Sequence, residues 1–277
     1  MNLIEAIQAV PDHRHPRGIR HPLWLILTII LLGSCTGYWG YKPLVEFTKN
    51  HRKTLLKLFN LPQDIKFPSD STFRNIIQAL DFEVLAVLFN VWSQQNLSIT
   101  PGELMAIDGK SIKSTLVSGS DSYQNFVSMV SVYSHAHGWV VQHQVMENKH
   151  KSEIEVVEEL VTKLSGCQVV IHEEHYYLSS LDWSASQFAE AIRGHWLIEN
   201  RLHWVKDVTL NEDNCIHRGG NAPANWAMIR QFLVSLARMK GTRTIPQAFR
   251  LMANQLEDLS ELLFGLSSDE KPLTSFA

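Results

Sequence analysis

Residues 192–208 read "IRGHWLIENRLHWVKDV" and carry the amphipathic pattern of a helix. Side chains three to four positions apart lie on the same face of a helix, so the stretch divides into two faces. The polar face carries His195, Glu199, His203 and Lys206. The opposite stripe, which we expect to be buried, consists of Ile198, Leu202 and Val205. The stretch therefore predicts a late helix that presents an acid between two histidines.

A row of His, Glu and His on one helix face raises the question of a zinc site. The HExxH spacing of zinc proteases is absent, and one helix face cannot close a tetrahedral zinc site by itself. The alternative without chemistry is an amphipathic surface helix on which Trp196 and Trp204 pack. We favour neither a zinc site nor a zinc enzyme from this helix alone.

The segment before this helix has the pattern of a sheet. Residues 104–107 predict an apolar strand that ends at Asp108, and alternating apolar residues around His137 and Gly138 predict a hairpin. Ser152 and Glu155 form a capping box for a helix that ends before Gly166, and "CQVVI" then predicts a short buried strand. The order strand, strand, strand, helix, strand predicts an α+β fold with a mixed sheet.

Asp108 is the first candidate for chemistry in this sheet. The "GKS" that follows it is not a phosphate-binding loop, because that motif requires a glycine at position 104, where Leu104 stands. An aspartate at the end of a strand is either a turn former or a ligand for a hard cation, since carboxylate oxygens suit magnesium. Its own sequence context leaves both interpretations open.

The front of the chain is helical and basic. Residues 1–60 hold eight Lys and Arg, Arg14, Arg17 and Arg20 among them, against three acids, although the whole chain of 277 residues has a net charge of −3. A basic arm is the usual electrostatic footprint of a nucleic-acid partner, and an ordinary solvated surface gives the same count. The end of the chain, in contrast, is acidic.

The cysteines and the apolar segments of the sequence indicate in which cellular compartment the protein is expected. Three widely spaced cysteines without a CxxC predict a reduced, cytoplasmic environment. Residues 22–41 carry no charge, but their continuous apolar part is short and ends in glycines. We therefore expect a buried core helix there rather than a membrane span.

The stretch "VVIHEEHYYL" at 169–178 passes from an apolar strand directly into His172, Glu173, Glu174 and His175. Two imidazoles and two carboxylates within four residues are typical of a metal site, and a small zinc protein built around His172 and His175 is one hypothesis. A solvated loop is another interpretation. The residues alone do not decide between them.

Seven stretches spread over about residues 10 to 240 carry a resemblance to a known family. They are "DHRHPRGIRHPL", "PSDSTFRNIIQALD", "AIDGKSIK", "ENKHKSEI", "YYLSSL", "IRGHWLIENRLHWVKDVTLNED" and "RGGNAPANWAMIR". In this order they resemble the H-repeat-associated, ISAs-type branch of the DDE insertion-sequence transposases. The run of HW, IEN and LHW is the most specific of these.

The resemblance implies an RNase H-like domain in which Asp, Asp and Glu hold two Mg²⁺ or Mn²⁺ ions for DNA cleavage and strand transfer. Asp108 matches the first Asp and Glu199 matches the Glu, so both are expected catalytic and metal-binding residues. His195 and Lys206 fall where related transposases place basic residues that contact phosphate. The expected DNA-binding residues are Arg14, Arg17, Arg20, Arg193, His195, Asn200, His203 and Lys206.

The chain departs from the family where the second Asp belongs. In the family that Asp ends the fourth strand, and "YYLSSL" comes much later, whereas here Ile171 joins His172 as if an internal block had been removed in frame. The two-ion site is then incomplete, unless Glu173, Glu174 or Asp182 replaces the missing ligand. The sheet is expected to be an incomplete RNase H-like sheet with flanking helices.

These interpretations give three expected domains: 1–97, all-helical and DNA-binding; 98–240, the DDE domain; and 241–277, a helical, acidic end. The expected function is that of an insertion-sequence transposase impaired by loss of the second Asp, and a non-catalytic DNA-binding or regulatory remnant is the alternative. Expected partners are the element's terminal repeats, target DNA and further copies of the chain, with no membrane. The expected location is the cytoplasm, at the nucleoid.

Overall fold

The computed structural model describes residues 2–96, 103–115, 126–147, 150, 152–163, 168–170, 184, 186–188 and 196–265. These residues divide into two compact units, one of 1–80 with 242–277 and one of 81–241. The grouping places the helix Phe82–Asn96 with the sheet, and the C-terminal helices with the N-terminal ones. The domain boundaries at 97 and 240 stay a prediction from the sequence.

The first unit is all-helical. Its helices are α1 (Leu3–Gln8), α2 (Leu23–Cys35), α3 (Tyr41–Asn50), α4 (Arg52–Leu58), α5 (Asp70–Ala79), and the C-terminal Ile245–Asn254 and Leu256–Phe264. Helix α2 lies at the centre, and nearly every side chain along it is buried, Cys35 included. The expectation of a buried core helix is confirmed. Within the described residues, no single helix is both long and apolar enough to cross a membrane; one bent pair, Asp70–Ala79 with Phe82–Asn96, reaches that by length and composition only.

The second unit is built on a four-stranded sheet. Its elements are α6 (Phe82–Asn96), β1 (Leu104–Ser111), β2 (Val127–Ser134), β3 (Val140–Glu147), α7 (Glu153–Lys163), β4 (Gln168–Val170), the π-helical segments Glu199–His203 and Val205–Thr209, and α8 (Ala222–Met239). The strand order is β3-β2-β1-β4; the first two pairings are antiparallel, and β1 pairs with β4 in parallel. The mixed α+β class is confirmed.

Local sequence signals explain how this sheet forms. Gly138 adopts a positive φ of 76° in the turn of the β2–β3 hairpin, a conformation that glycine reaches without steric cost. At the start of α7, the Glu155 N–H donates to the Ser152 hydroxyl and the Ser152 N–H donates to the Glu155 carboxylate, so the capping box is present. Strand β1 ends at Ser111, three residues beyond the predicted end at Asp108.

Helices cover the sheet and fix the position of β1. Val156 and Leu160 of α7 pack on a buried cluster that includes Met105 and Ile107 of β1. On β3, the Asn90 side chain of α6 donates to the carbonyl of His143. Burying apolar side chains contributes about 25 cal/mol per Å² to stability. The apolar contacts between β1 and α7 therefore stabilise the position of the inner strand.

Candidate active site

Asp108 lies on the inner strand β1, between its antiparallel partner β2 and its parallel partner β4. Its backbone pairs with Ser131, and its carboxylate Oδ1 accepts a hydrogen bond of 2.9 Å from the Gly109 N–H. The side chain is 31% exposed. The sheet therefore fixes the backbone of Asp108, while the carboxylate remains accessible from solvent.

The late helix, described over residues 196–209, has an unusual backbone. The Trp204 N–H donates to the Glu199 carbonyl and the Leu210 N–H donates to the Val205 carbonyl, which are the i→i+5 bonds of a π-helix. The predicted buried stripe is confirmed: Ile198, Leu202 and Val205 are buried. The predicted late helix is therefore present over the described residues, but with π-helical turns, which are rare and often occur at functional sites.

Three side chains meet between β1 and the late helix. His203 Nδ1 lies 3.0 Å from Glu199 Oε2 and 3.4 Å from Asp108 Oδ2. One potential ligand atom from each residue lies within 4.8 Å of the others. Two carboxylates and an imidazole are suitable ligands for a divalent cation such as Mn²⁺, and the carboxylates also suit Mg²⁺. The structure thus brings together the two predicted acids, which are 91 positions apart in the chain.

The charge of this cluster is unbalanced. Burial, together with the negative charges of Glu199 and Glu153, raises the pKa of Asp108 to about 6, against the opposing effects of the Gly109 N–H and Lys110. The ammonium of Lys110 is engaged elsewhere, 2.6 Å from Asp207 and 4.0 Å from Asp213. Carboxylates that repel one another in a partly buried site favour a bound cation.

Lys206, an expected phosphate contact, is buried. Its Nζ lies 3.2 Å from Glu212 Oε2, and both side chains are only 1% exposed. Burial lowers the pKa of Lys206, while the charge of Glu212 opposes that shift. The ammonium of Lys206 therefore faces an internal carboxylate in this structure and not the surface.

The other expected DNA-contacting residues lie in different environments. Asn200 is exposed on the late helix, and Arg17 and Arg20 are exposed in the first unit. Arg14 is half-buried and makes a two-pronged contact with Asp12, at 2.8 Å and 2.6 Å. Of the remaining predicted residues, His203 lies in the acidic cluster, and Arg193 and His195 fall outside the described residues.

The junction residues also fall outside the described part of the chain. They are His172, Glu173, Glu174, His175 and Asp182. Neither their predicted replacement of the second Asp nor the zinc hypothesis is tested. The described part of β4 ends at Val170, which pairs with Ala106, so Asp108 lies two positions further along β1 than this pair.

Sequence reasoning missed one residue near Asp108. Glu153 follows the capping Ser152 and begins α7, and its neighbourhood in the sequence indicates only the start of a helix. Its carboxylate packs against the backbone of Gly109. The pairing of a glycine directly after a strand aspartate with an acid in a helix's first turn was the signal that could have revealed it.

Trp196 and Trp204 are more exposed than expected from the interpretation in which they pack on a surface helix. They are 59% and 55% exposed, on the same late helix as Glu199. The apolar stripe of this helix is supplied by aliphatic side chains alone, and two large aromatic surfaces remain accessible. Aromatic side chains of this kind serve as stacking platforms in proteins that bind single-stranded nucleic acid.

Comparison with protein families gives two matches in the order of the chain. Residues 4–93 match the family described as "DDE_Tnp_1-associated", and residues 161–236 match the "Transposase DDE domain". The second match includes Glu199 and His203 of the cluster. No solved structure matches the chain.

Curated relatives carry corresponding names. The chain is 24% identical to "Putative transposase YncI" of Escherichia coli O157:H7, over 86% of this chain and 87% of that protein. It is 21% identical to "H repeat-associated putative transposase YhhI" of Escherichia coli K12, over 84% and 89%. These alignments extend over 345 and 343 positions, more than the 277 residues of the chain itself.

Proposed function

Since the chain is a relative of the H-repeat-associated DDE transposases of insertion sequences, we propose that its sheet-bearing unit is an RNase H-like domain for cutting and joining DNA. The family relation gives the general function, DNA transposition. The proposal adds the site: Asp108 and Glu199 hold divalent cations beside a phosphodiester. It also adds that the metal site of this protein is incomplete and that its DNA cleavage is therefore impaired.

One observation carries the assignment of the site. Asp108 comes from the inner strand and Glu199 from the late helix, and His203 Nδ1 lies within 3.4 Å of both carboxylates. A turn former needs no such partner, and Asp108 lies inside β1, which continues to Ser111. Two distant acids that converge on one imidazole form a set of ligands, which favours the metal interpretation of Asp108 over the turn interpretation.

The protein's own groups have separate roles in this proposal. Asp108 and Glu199 supply carboxylate oxygens to the cation, and His203 orients Glu199 through their 3.0 Å contact. When bound, Mg²⁺ or Mn²⁺ activates water or a DNA 3′-hydroxyl and stabilises the charge that develops on the phosphate. Asn200 and the exposed Arg17 and Arg20 are proposed DNA contacts. Lys206 is left out because its ammonium is buried against Glu212.

The loss of an internal block explains why the site is incomplete. An alignment longer than the chain requires gaps in the chain, so the relatives carry residues that have no counterpart here. We place this gap at the 171/172 junction, where a second catalytic Asp would follow β4 and the sequence has His172 instead. Glu173, Glu174 or Asp182 would have to hold a cation within about half an ångström of the productive position to restore activity.

The second candidate function is a DNA-binding or regulatory remnant without catalysis. The excess of Lys and Arg in residues 1–60 favours it, because a basic helical front retains phosphate binding when the catalytic site fails. Such a protein would associate with DNA at the nucleoid, or with a full-length copy of the transposase. DNA and further copies of the chain are partners in both candidates.

A cleavage assay on the terminal DNA of the element, with Mg²⁺ or Mn²⁺, tests the proposal. We expect weak nicking or none, together with DNA binding that weakens steeply between 50 and 200 mM salt, because phosphate contacts release counterions. Any nicking should disappear in Asp108→Ala. Glu83→Ala, which removes an exposed acid in the first turn of α6, is the matched control.

Three results would contradict parts of this proposal. Efficient cleavage that depends on Asp108 would show that the site is complete in this copy. Nicking that survives Asp108→Ala would exclude the site. Absence of both nicking and DNA binding would exclude both candidate functions.

A further inference from the structure

A cavity of about 330 Å³ lies at the end of the sheet where β1 and β3 stop and β2 begins. Its walls include Ser114 in the turn after β1, Val127 at the start of β2 and Phe82 at the start of α6. The segment 218–221, which leads into α8, forms a further wall. None of these residues belongs to the cation site of Asp108 and Glu199.

The wall formed by the start of α8 favours an anion. This helix has 18 residues, and the N-terminus of a helix carries unsatisfied N–H groups and a partial positive charge. Arg218 lines the cavity four residues before the helix begins and adds a full positive charge. Gly219 and Gly220 have positive φ values of 106° and 52°, so the backbone borders the cavity here without side chains. A helix start beside an arginine is common, however, and does not define a site by itself.

The hydroxyl of Ser114 is the independent sign of a ligand. Ser114 is only 6% exposed, and its Oγ is buried without a hydrogen-bond partner. The hydroxyl of the neighbouring Thr115, in contrast, donates to the Ile112 carbonyl and accepts from the Val127 N–H. A buried polar atom without a partner costs free energy, and most such atoms meet a partner in the functional state. Ser114 Oγ is therefore available to donate to a ligand in the cavity.

The cavity lies on the same face of the sheet as the Asp108 carboxylate. Asp108, Ser131 and His143 are directly opposite one another on β1, β2 and β3, so their side chains share a face. Phe89 of α6 stacks on His143 and also packs against Phe232 of α8, with ring centres 4.5 Å and 5.1 Å apart. Helices α6 and α8, whose first turns border the cavity, therefore pack on the face that carries Asp108.

We propose that this cavity binds a phosphate group of the DNA backbone, a few nucleotides from the phosphodiester at the cation site. The proposal rests on the function proposed above, because it assigns both groups to the same DNA. Arg218 supplies charge, the start of α8 supplies N–H donors, and Ser114 donates a hydrogen bond. Ser111, the last residue of β1, lies roughly 10 Å along the strand from Asp108, which corresponds to about three base pairs of DNA. A phosphate held beyond this point fixes the register of the DNA along the sheet.

The salt dependence of DNA binding by the full chain tests the site. Fluorescence anisotropy with a duplex of the element's terminal DNA gives the slope of log affinity against log salt. Loss of one phosphate contact lowers this slope by about one, and we expect that decrease in Arg218→Gln. Lys240→Gln removes the same charge from the exposed C-cap at the other end of α8 and should keep the wild-type slope. Both variants should keep the wild-type circular dichroism spectrum.

Ser114→Ala tests the hydroxyl separately. The change removes an atom without a partner, so the fold should be retained. We expect about tenfold weaker DNA binding with the wild-type salt slope, because a hydroxyl carries no charge. Adding Ser114→Ala to Arg218→Gln should cost less affinity than the two separate losses combined, because both groups contact one phosphate.

Glu147→Gln distinguishes an anion from a cation in the cavity. Glu147 also lines the cavity, and its carboxylate lies 3.4 Å from the exposed imidazole of His150. Its negative charge repels a phosphate, so Glu147→Gln should strengthen DNA binding. Weaker binding in this variant would indicate a cationic ligand and overturn the proposal.

Inorganic phosphate distinguishes the DNA backbone from a free phosphate ligand. Compared with chloride at equal ionic strength, phosphate should raise the unfolding temperature of the wild type and leave that of Arg218→Gln unchanged. The terminal DNA should displace the bound phosphate, as followed by its ³¹P nuclear magnetic resonance signal. Phosphate that binds through Arg218 and is not displaced by bound DNA would overturn the assignment to the DNA backbone.

The outcomes separate this proposal from the proposed function. Wild-type affinity and slope in Arg218→Gln overturn the cavity site and leave the function standing, and equal decreases in slope in Arg218→Gln and Lys240→Gln do the same. A loss in Arg218→Gln without a loss in Ser114→Ala places the phosphate outside the cavity and also overturns the inference. A wild-type protein that binds no DNA excludes the proposed function. A phosphate-dependent rise in its unfolding temperature that requires Arg218 and Ser114 then still upholds the phosphate site, and its absence overturns that site as well.

Discussion

The late helix carries two charged groups of residues that differ in how their charge is balanced. In one, Lys206 and Glu212 lie 3.2 Å apart, and each side chain is 1% exposed. In the other, Asp108 and Glu199 converge on His203, with side chains 31% and 52% exposed. The first pair is neutral and closed, while the second group is negative and open to solvent.

The difference distinguishes charged groups that are neutralised within the fold from charged groups that can bind a cation. A buried ion pair must satisfy its own charge, because each ion loses several kcal/mol of hydration when it enters the fold. An exposed cluster of like charges lowers stability by itself and is stabilised by whatever cation binds. Glu199 and Lys206 are seven positions apart on one helix and differ in role. Glu199 belongs to the open acidic cluster that can bind a cation, and Lys206 belongs to the closed ion pair.

Glu212→Gln should have the largest effect on stability of the changes considered. It leaves the ammonium of Lys206 buried without a counter-charge, and breaking one side of a buried pair costs about 3–5 kcal/mol in the free energy of unfolding. Urea denaturation at pH 7 measures it. Mn²⁺ binding per folded molecule should remain unchanged, since Glu212 lies outside the acidic cluster.

The double variant Lys206→Met, Glu212→Leu is the control for this prediction. Replacing both ions with apolar side chains removes the hydration cost together with the attraction, so most of the lost stability should return. If the double variant is as unstable as Glu212→Gln, the packing of these side chains matters and their charge does not. A loss below 1 kcal/mol in Glu212→Gln would contradict the closed, structural nature of the pair.

The buried imidazole of His143 leads to a prediction of how the free energy of unfolding depends on pH. It is buried and stacked on Phe89 at 4.5 Å, and burial, with the charge of Lys206, lowers its pKa from 6.5 to about 3. Below pH 6.5 the unfolded chain therefore binds a proton that the folded chain does not. Stability should fall by about 1.4 kcal/mol per pH unit as the pH decreases from 6.5 toward 3.

The measurement is the free energy of unfolding at a series of pH values from 7.5 to 4, for the wild type and for His143→Gln. Glutamine has a similar size and does not titrate, so this part of the slope should vanish in the variant, whatever its stability at pH 7. His150→Gln is the control because His150 is exposed, with its imidazole near Glu147. Parallel slopes for wild type and His143→Gln would show that His143 is not the source.

Much of the architecture around the site could be predicted because it depends on local chemistry. The hairpin at Gly138 follows from a residue that tolerates positive φ, and the start of α7 follows from a capping box between Ser152 and Glu155. The stripe of Ile198 and Leu202 follows from helical spacing. In each case the determining residues lie within a few positions of one another.

What could not be predicted depends on contacts that the local pattern does not contain. A π-helix and an α-helix both bring residues four apart together, so the spacing of Glu199 and His203 does not distinguish them. Lys206 looked accessible because its partner Glu212 lies beyond the end of the helix. Glu153 looked like an ordinary solvated acid because its neighbour Gly109 comes from another element.

Asp108→Asn should have the smallest effect of the three, and in the opposite direction. Its carboxylate is raised in pKa to about 6 by burial and by Glu199 and Glu153, so at pH 7 the ionised side chain opposes folding in the absence of metal. Removing the charge should stabilise the metal-free protein by about 1–2 kcal/mol, a value reduced for the partial exposure of the side chain. Added Mn²⁺ should then raise the unfolding temperature of the wild type and leave that of the variant unchanged. A variant less stable than the wild type without metal would show that Asp108 is held by favourable contacts, as Glu212 is, and the contrast between the two groups would be lost.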